Sequence, residues 1–293
     1  MFQAVDVENQ KQRPTKKRSF SVSGVLKFLG VSKSGFYDWK NRKPSNQELR
    51  KEAIKAEIIE IHNDSNQIYG APKITDQLRK RGHRISERTV SNYMKEEGVK
   101  AVWISPYKRT TINPDFSSKL HNILDRNFNP ERPNAVWVSD ITYIWTITGF
   151  CYLTSVMDLY SRKIIGWHLS DSLSTKGVIA ATNKAKRNRR FTDPVVFHSD
   201  RGVQFVSKAF YEATPSDQFM HSYSRKGNPW DNACIEAFHS VIKREWLNRF
   251  VIKNLKHAHD LIFEYIDGFY NTRRTHSACG LESPNNYEMS NLA

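Results

Sequence analysis

The chain has 293 residues, of which 39% are hydrophobic and 12% aromatic, so it can build two modest domains with packed cores. No apolar run approaches the ~20 residues that span a bilayer, and Cys151, Cys234 and Cys279 lack the paired spacing of a zinc site or a disulfide framework. We therefore expect a soluble protein, and its net charge of +15 favours a polyanionic partner such as nucleic acid.

The positive charge lies mainly in the N-terminal half. Residues 1–134 hold 26 Lys and Arg against 15 Asp and Glu, whereas residues 135–293 hold 19 against 15. This asymmetry predicts that the first half grips DNA and the second half carries out chemistry, although a merely basic soluble protein could have the same charge. Residues 1–20, which include KQRPTKKR, are predicted to form a flexible basic arm.

Residues 21–100 are predicted to form a helical DNA-binding region. SVSGVLKFLG has apolar residues at helical spacing and ends in Gly30, and the next helix follows Ser32, a favourable N-cap. A helix, a tight turn and a capped helix are the outline of a helix-turn-helix. An amphipathic helix is predicted next, over residues 47–63. Its apolar face is formed by Ile54, Ile58 and Ile61.

A second pair of helices follows in the same region. YGAPKITDQLRKRG has Pro72 for a first helical turn and Gly82 for the stop, and ISERTVSNYMKEEG begins at Ser86. An ordinary helical bundle with a solvated charged face would have the same pattern. For DNA binding, the second helix offers side chains that can reach phosphates and base edges: Arg88, Ser91, Asn92 and Lys95.

A proline-containing linker is predicted over residues 101–133, and after it the hydrophobic period becomes that of strands. A catalytic domain with a helical C-terminal extension is predicted over residues 134–293. Its order is three strands, helix, strand, helix, strand and two helices, which predicts the α/β ribonuclease H-like fold, a mixed five-stranded sheet with flanking helices. The predicted elements cover residues 136–146, 150–160, 162–170, 174–190, 194–200, 207–213, 219–224, 231–248 and 254–270.

Three acidic residues stand where a two-metal site needs them. Asp140 lies within the first strand, Asp200 ends the strand PVVFHSD, and Glu236 is on the helix after GNPWDN. Each has an ordinary explanation: a solvent-facing strand residue, a turn-capping residue and part of a solvated helix face. Together they predict a site for two Mg²⁺ or Mn²⁺ ions, because such ions bind a few carboxylates together with water and substrate phosphate.

The helix that carries Glu236 presents further polar residues on the same face. Lys243, seven residues later, could reach a phosphate of the same DNA strand, and His239 and Ser240 lie between them. Asp231 competes with Glu236 for the role of metal ligand, but its place at the helix start suits N-capping better.

These motifs resemble those of the DDE transposases of bacterial insertion sequences, specifically the second-reading-frame protein of the insertion sequence 3 family, which shares its core with retroviral integrases. The resemblance rests on WVSDITYI around Asp140, HSDRGVQF around Asp200 and SRKGNPWDNACIEAFHSVIKRE around Glu236, with 35 residues between the last two acids. IYGAPKITDQLRKRGHRISERTVSNYMKEEGV and YNTRRTHSACGLESPNNY extend it over most of the chain. Departures from the family pattern occur at Pro215, Ala237 and His239.

The resemblance implies metal-dependent cleavage at the ends of an insertion sequence, followed by strand transfer. Asp140, Asp200 and Glu236 would hold two metal ions, and Lys243 would position the terminal DNA phosphate. Non-specific contacts with the DNA backbone are expected from Arg244 and from the basic run that ends the helix predicted over residues 174–190. That run consists of Lys184, Lys186, Arg187 and Arg190.

The implied partners are the double-stranded DNA of the element's terminal repeats and of the target, further copies of the chain on paired ends, and an upstream-frame protein as a fusion partner. No membrane partner is implied, and the expected location is the bacterial cytoplasm, at the nucleoid. Two alternatives remain open: a DNA-binding regulator or inactive transposase remnant, and a non-mobile nuclease of the same fold.

Overall fold

The computed structural model describes residues 22–102 and 120–291. They form two compact units that divide between Ile59 and Glu60. The predicted basic arm and residues 103–119 of the predicted linker lie outside the described residues. None of the helices in the described ranges has both the length and the apolar composition that a membrane span requires.

The N-terminal unit contains the first predicted helix pair, α1 (Val22–Phe28) and α2 (Lys33–Asn41). The Ser32 hydroxyl accepts a hydrogen bond from the Gly35 N–H at 2.9 Å, so the predicted N-cap is confirmed. A third helix, α3 (Asn46–Asp64), begins in this unit and runs past the division. The core of the helix pair is formed by Leu26 and Phe36.

The second helix pair belongs to the C-terminal unit. Its helices are α4 (Ala71–Lys80) and α5 (Glu87–Glu96), with Pro72 in the first turn of α4. Gly82 adopts a φ of +93° between them, a conformation that favours glycine, and the Ser86 hydroxyl caps α5. The predicted helix-turn-helix of residues 71–96 is therefore confirmed in its helices and in its turn.

The loop before α4, and α4 itself, are bonded to the C-terminal segment of the same unit. The Tyr69 hydroxyl donates to the Arg273 carbonyl at 3.3 Å and accepts from the Thr275 N–H at 3.1 Å. Lys73 Nζ donates to the Thr275 carbonyl at 2.9 Å. Two motifs that are far apart in sequence, YGAPK and YNTRRT, are thus in contact, and they hold α4 and α5 on the same unit as the sheet.

A five-stranded sheet in the order β3-β2-β1-β4-β5 lies at the centre of the C-terminal unit. β1, β2 and β3 pair antiparallel, whereas β1, β4 and β5 pair parallel. This order is that of the ribonuclease H-like fold, so the predicted fold class is confirmed. The strands are β1 (Val136–Thr146), β2 (Gly149–Asp158), β3 (Lys163–Ser170), β4 (Val195–Ser199) and β5 (Phe219–Tyr223).

Helices lie on both faces of this sheet. Neighbouring residues of a strand point to opposite faces: Val156 of β2 packs with Val178 in the main core, while the Ser155 hydroxyl is bonded to His239 on the other side. The helices of the main-core face are α6 (Thr175–Asn188) and α7 (Lys208–Ala213), and the opposite face carries α8 (Ala233–Glu245).

The helix predicted over residues 231–248 is divided in the structure. A 3-10 turn (Pro229–Asn232) precedes α8, and a second one (Leu247–Arg249) follows it. Trp246 ends the helix, and its indole N–H donates to the Leu261 carbonyl at 3.0 Å. That bond holds the chain against the next helix. The remaining helices are α9 (Leu255–Tyr265), continued by a π-helical turn (Ile266–Tyr270), and α10 (Pro284–Asn291).

Residues 120–133, which the sequence analysis assigned to the linker, are attached to the sheet. The Ser222 hydroxyl of β5 accepts hydrogen bonds from the Ile123 and Leu124 N–H groups at 2.9 and 3.0 Å. Leu124 is buried, and the Arg126 guanidinium is bonded to a buried carboxylate. Although the prolines prevent a regular helix or strand, these contacts hold the segment on the sheet. The folded catalytic domain therefore begins before residue 134.

Candidate active site

Asp140 and Asp200 lie side by side on adjacent strands. β1 and β4 are parallel with Ser139 opposite Ser199, and in each strand the next residue is the acid. Because paired strands lie about 4.8 Å apart, the two carboxylates start from neighbouring backbone positions. Asp200 directly follows the end of β4 at Ser199, and Asp140 lies beside it within β1, so both acids are next to the carboxyl end of β4, where open α/β sheets bind ligands.

Glu236 is brought to this place by the attachment of α8 to the sheet. Asn232 Nδ2 donates to the Ser139 carbonyl at 3.2 Å, and His239 Nε2 is hydrogen-bonded to the Ser155 hydroxyl at 3.1 Å. Glu236 lies between the two attached residues, in the first turn of α8, and is itself exposed. Ser139 and Ser155, the partners in these two bonds, lie next to Asp140, the first acid of the triad Asp140, Asp200 and Glu236. The helix therefore cannot shift along the sheet without breaking both hydrogen bonds.

The electrostatics of Asp200 show that the three acids influence one another. Burial raises the pKa of Asp200 to about 7, and the carboxylates of Asp140 and Glu236 act in the same direction. A hydrogen bond from the Gly202 N–H to Asp200 Oδ1, at 2.9 Å, acts the other way without reversing the shift. A divalent cation at this place would stabilise the ionised form of Asp200.

The donor set fits a hard divalent cation. Within the described ranges no group of three or more His, Cys, Asp or Glu side chains is close enough together to hold a metal ion, so the triad is not a preformed cage. Mg²⁺ does not need one, because it is usually bound by one or two carboxylates together with water and substrate phosphates. The adjacent Asp140 and Asp200 supply such a pair.

Lys243 extends from the third turn of α8 toward β1. Its Nζ lies 4.6 Å from the centroid of the Tyr143 ring. Burial lowers the pKa of Lys243, and attraction to Asp140 opposes this effect. The ammonium group is therefore within electrostatic reach of the first acid.

His239 is a site residue whose role the sequence analysis missed. It is 4% exposed, and its Nδ1 lies 3.5 Å from Asp140 Oδ2. Nε2 is hydrogen-bonded to the Ser155 hydroxyl, and the buried Nδ1 faces Asp140 without forming a hydrogen bond among the described residues. The available sequence signal was its place three residues after Glu236, which puts it on the same helix face.

Asp231 is not a rival metal ligand, and the prediction that it caps the helix is wrong. Its carboxylate is fully buried and accepts hydrogen bonds from Arg225, Arg126 and Asn122, each at 2.9 to 3.1 Å. The Arg225 hydrogen bonds hold the pKa of Asp231 well below its usual range. No side-chain cap is formed at Asn232 either, since that side chain is bonded to β1.

The predicted DNA-contact residues divide into exposed and engaged groups. On the α6 face, opposite α8, Lys184 Nζ lies 4.2 Å from the Trp167 ring centroid and Lys186 donates to the Ala213 carbonyl at 3.3 Å. Arg244 of α8 has a buried Nε without a hydrogen bond in the described part of the chain. The exposed residues are Arg88, Ser91, Asn92 and Lys95 of α5, and Arg187 and Arg190 near the end of α6.

Comparison with known proteins covers nearly the whole chain. The Integrase core domain family matches residues 130–229 and, in a second description, residues 218–284; the HTH-like domain family matches residues 48–107. Transposase InsF of insertion sequence IS3A from Escherichia coli strain K12 is 32% identical over 278 residues, which are 94% of this chain and 96% of the relative.

A second relative comes from another element. The uncharacterized 31 kDa protein of insertion element IS600 from Shigella sonnei is 31% identical, over 89% of this chain and 96% of its own length. Among solved structures, the HTLV-2 integrase catalytic core domain in complex with magnesium aligns with a TM-score of 0.42 and 17% identity, covering 54% of this chain and 97% of that one.

Proposed function

Since this chain belongs to the IS3 family of insertion-sequence transposases, we propose that it cleaves DNA at the ends of such an element and joins them to target DNA, using divalent metal ions at Asp140, Asp200 and Glu236. The observation that carries the proposal is the pair Asp140 and Asp200 on adjacent parallel strands, with the pKa of Asp200 raised to about 7. A half-buried carboxylate beside two others favours the binding of a cation between them.

The chain's own residues position the reacting groups. Asp140 and Asp200 present carboxylate oxygens from two neighbouring strands, and Glu236 completes the set from α8. These residues would hold two Mg²⁺ or Mn²⁺ ions, which would supply activation of the attacking oxygen and stabilisation of the leaving one. The Lys243 ammonium binds a non-bridging oxygen of the scissile phosphate. In the cleavage step water attacks the phosphorus at the element's end, the P–O3′ bond breaks, and the 3′-oxygen leaves and is protonated to a free 3′-hydroxyl. In the transfer step that hydroxyl loses its proton and attacks a phosphodiester of the target, where the P–O3′ bond breaks and the target's 3′-oxygen leaves.

Recognition of the element's end is assigned to α5. Arg88, Ser91, Asn92 and Lys95 all lie on its exposed side, at the spacing of one helix face. In a helix-turn-helix, the second helix enters the major groove and reads base edges. The hydrogen bonds of α4 and of the loop before it to the C-terminal segment keep the helix pair α4 and α5 on the catalytic unit. The same compact unit then binds the element's end and carries the catalytic residues.

The catalytic assignment is tested by charge-removing substitutions. Asp140→Asn, Asp200→Asn and Glu236→Gln should each abolish Mg²⁺-dependent strand transfer of oligonucleotides taken from the ends of the element, while affinity in a gel-shift assay stays within about twofold. Glu212→Gln, which removes an exposed carboxylate of α7, is the matched control and should retain activity. Ordinary strand transfer by any one of the three triad variants contradicts the assignment.

The recognition assignment is tested separately. Arg88→Ala and Lys95→Ala should weaken binding of the element's end by about tenfold or more, because each removes a contact with a base edge or a phosphate. Lys208→Ala, which removes a highly exposed lysine of α7, serves as the control for loss of one positive charge. Equal weakening by all three variants would mean that charge alone, and not α5, determines the affinity.

A further inference from the structure

The end of the β1–β2 hairpin carries an exposed aromatic cluster. Tyr143, Trp145 and Phe150 are 48%, 64% and 48% exposed. The Phe150 ring centroid lies 4.8 Å from that of Trp145 and 5.5 Å from that of Tyr143, both edge to face. These three residues are called the aromatic hairpin face below. Contiguous exposed apolar surface of this kind marks an interaction site.

The aromatic hairpin face continues the main-core face of the sheet into solvent. Trp145 lies directly opposite Phe150, and Tyr143 is two residues away on the same side of β1. Ile141, one step further back on that side, packs against the main core. The same side of β1 is thus covered at Ile141 and exposed from Tyr143 onward.

The aromatic hairpin face and the triad are neighbours along β1, on opposite faces of the sheet. Pairing between β1 and β4 stops at Ser139, so within the described residues β1 is a free edge from Asp140 onward. Tyr143 follows Asp140 by three residues, about 10 Å along the strand. Lys243, whose Nζ lies 4.6 Å from the Tyr143 ring, connects the two places. Because Asp140 and Tyr143 are an odd number of positions apart, Asp140 points to the α8 face of the sheet and Tyr143 to the main-core face. A DNA strand that runs from the triad past Lys243 and over the edge of β1 would therefore reach the rings.

We propose that the aromatic hairpin face stacks on unpaired bases beside the scissile phosphate, so that its ligand is the single-stranded part of a frayed DNA end. This rests on the proposed function, since the triad defines where the strand lies. Aromatic rings beside a lysine are the combination that binds single strands: the rings stack on bases and the cation lies near the backbone. A closed duplex hides its base faces and cannot use the rings in this way.

The aromatic hairpin face is too small to be the interface with a second copy of the chain. A stable protein interface buries about 800 Å² on each partner, with a large apolar centre. Three half-exposed rings with Ile147 at the hairpin turn provide much less apolar surface than that. The positive charge of Lys243 beside Tyr143, and the place of Tyr143 on the strand of Asp140, favour DNA over a second copy of the chain as the ligand.

The experiment measures binding of the full chain to two fluorescent duplexes in EDTA, so that no cleavage occurs. One duplex is blunt and the other ends in a four-nucleotide unpaired fork. The wild-type protein should prefer the fork, and Trp145→Ala and Phe150→Ala should each reduce that preference by about tenfold with little change for the blunt duplex. Trp145→Phe should retain it, and Phe263→Ala, which removes an exposed ring of α9, should have no effect.

Tryptophan fluorescence provides a second readout. Stacking should quench the emission of Trp145 on addition of the fork, and the quenched component should be missing in Trp145→Phe. Fork affinity of Trp145→Ala equal to that of the wild type overturns the proposal. So does a shift from dimer to monomer in Trp145→Ala with an unchanged fork preference, because the rings would then bind a second copy. Asp140→Asn keeps the two proposals apart: it should lose strand transfer but keep the fork preference.

Discussion

The two ends of α8 hold carboxylates in opposite electrostatic surroundings. Glu236 at its start lies close enough to influence Asp200, whose pKa is raised by burial and by the neighbouring carboxylates. At the other end, burial would raise the pKa of Glu245, but two hydrogen bonds from Arg274 at 2.7 and 2.8 Å and one from the Tyr265 hydroxyl at 2.6 Å lower it. The same helix thus carries one acid at a site of excess negative charge and one that the protein itself neutralises.

The helix dipole sharpens the difference. A carboxylate is favoured at a helix N-terminus, where Glu236 lies, and disfavoured at the C-terminus, where Glu245 lies. Glu245 is therefore the acid that most needs a protein cation, and it has one. At the other end of α8, Glu236 is one of the carboxylates that raise the pKa of Asp200. The comparison shows that a buried carboxylate paired with an arginine of the protein has a structural role, whereas carboxylates grouped with other carboxylates can bind a metal ion.

Removing the arginine partner of Glu245, at the C-terminal end of α8, should have the largest effect on stability. Arg274→Met leaves Glu245 buried without its guanidinium partner, which should lower the free energy of unfolding by about 3–5 kcal/mol. Urea denaturation measures the change. Arg132→Met, which breaks the exposed ion pair with Asp193, is the control and should cost less than about 1 kcal/mol. Similar losses in both variants would show that the Glu245 pair is not special.

The buried ring of His198, two residues before Asp200, should make the folded protein less stable at acidic pH. This ring is fully buried between the Ser222 and Ser224 hydroxyls, and burial lowers its pKa to about 4. The unfolded chain takes up this proton near pH 6.5 and the folded chain only near pH 4, so stability falls as the pH drops through this window, by roughly 3 kcal/mol. His198→Gln should flatten that part of the stability curve; an unchanged curve contradicts the assignment.

Asp200 should have the opposite pH dependence. Its folded pKa of about 7 lies above the unfolded value, so metal-free stability falls as the pH rises through about 4 to 7. Asp200→Asn removes this loss and should be more stable than the wild type by roughly 1–2 kcal/mol above pH 7, with little difference near pH 4. The variant should also lose the rise in melting temperature on adding Mn²⁺. Equal stability at both pH values would be evidence against the raised pKa.

His239 should have the smallest effect. His239→Phe, which introduces the residue usual in the family, removes the only described ring nitrogen facing Asp140 and should weaken Mn²⁺ binding by about tenfold. Calorimetry without DNA measures this. Ser240→Ala, on the next position of the same helix, is the control. An unchanged Mn²⁺ affinity in His239→Phe would mean that the histidine only fills space.

Much of the fold could be predicted because its signals are local. The strands and helices of the catalytic unit follow hydrophobic periods of two or 3.6 residues, and their observed limits lie mostly within two residues of the predicted ones. The long helix after GNPWDN was the main exception. At its break, the Trp246 indole is bonded to the Leu261 carbonyl, which is distant in sequence and contributes no local signal.

The chain's sequence by itself determined the order of elements, the three acids with their spacing, and the polar face of α5, because motifs and periodicity are properties of neighbouring residues. Only the tertiary structure decided which carboxylates are neutralised. Asp231 is held by arginines from two separate segments and Glu245 by Arg274, whereas Asp200 is half-buried beside other acids. The partner of a charge is chosen by how distant segments pack, and that choice separates a structural acid from one that can bind a metal.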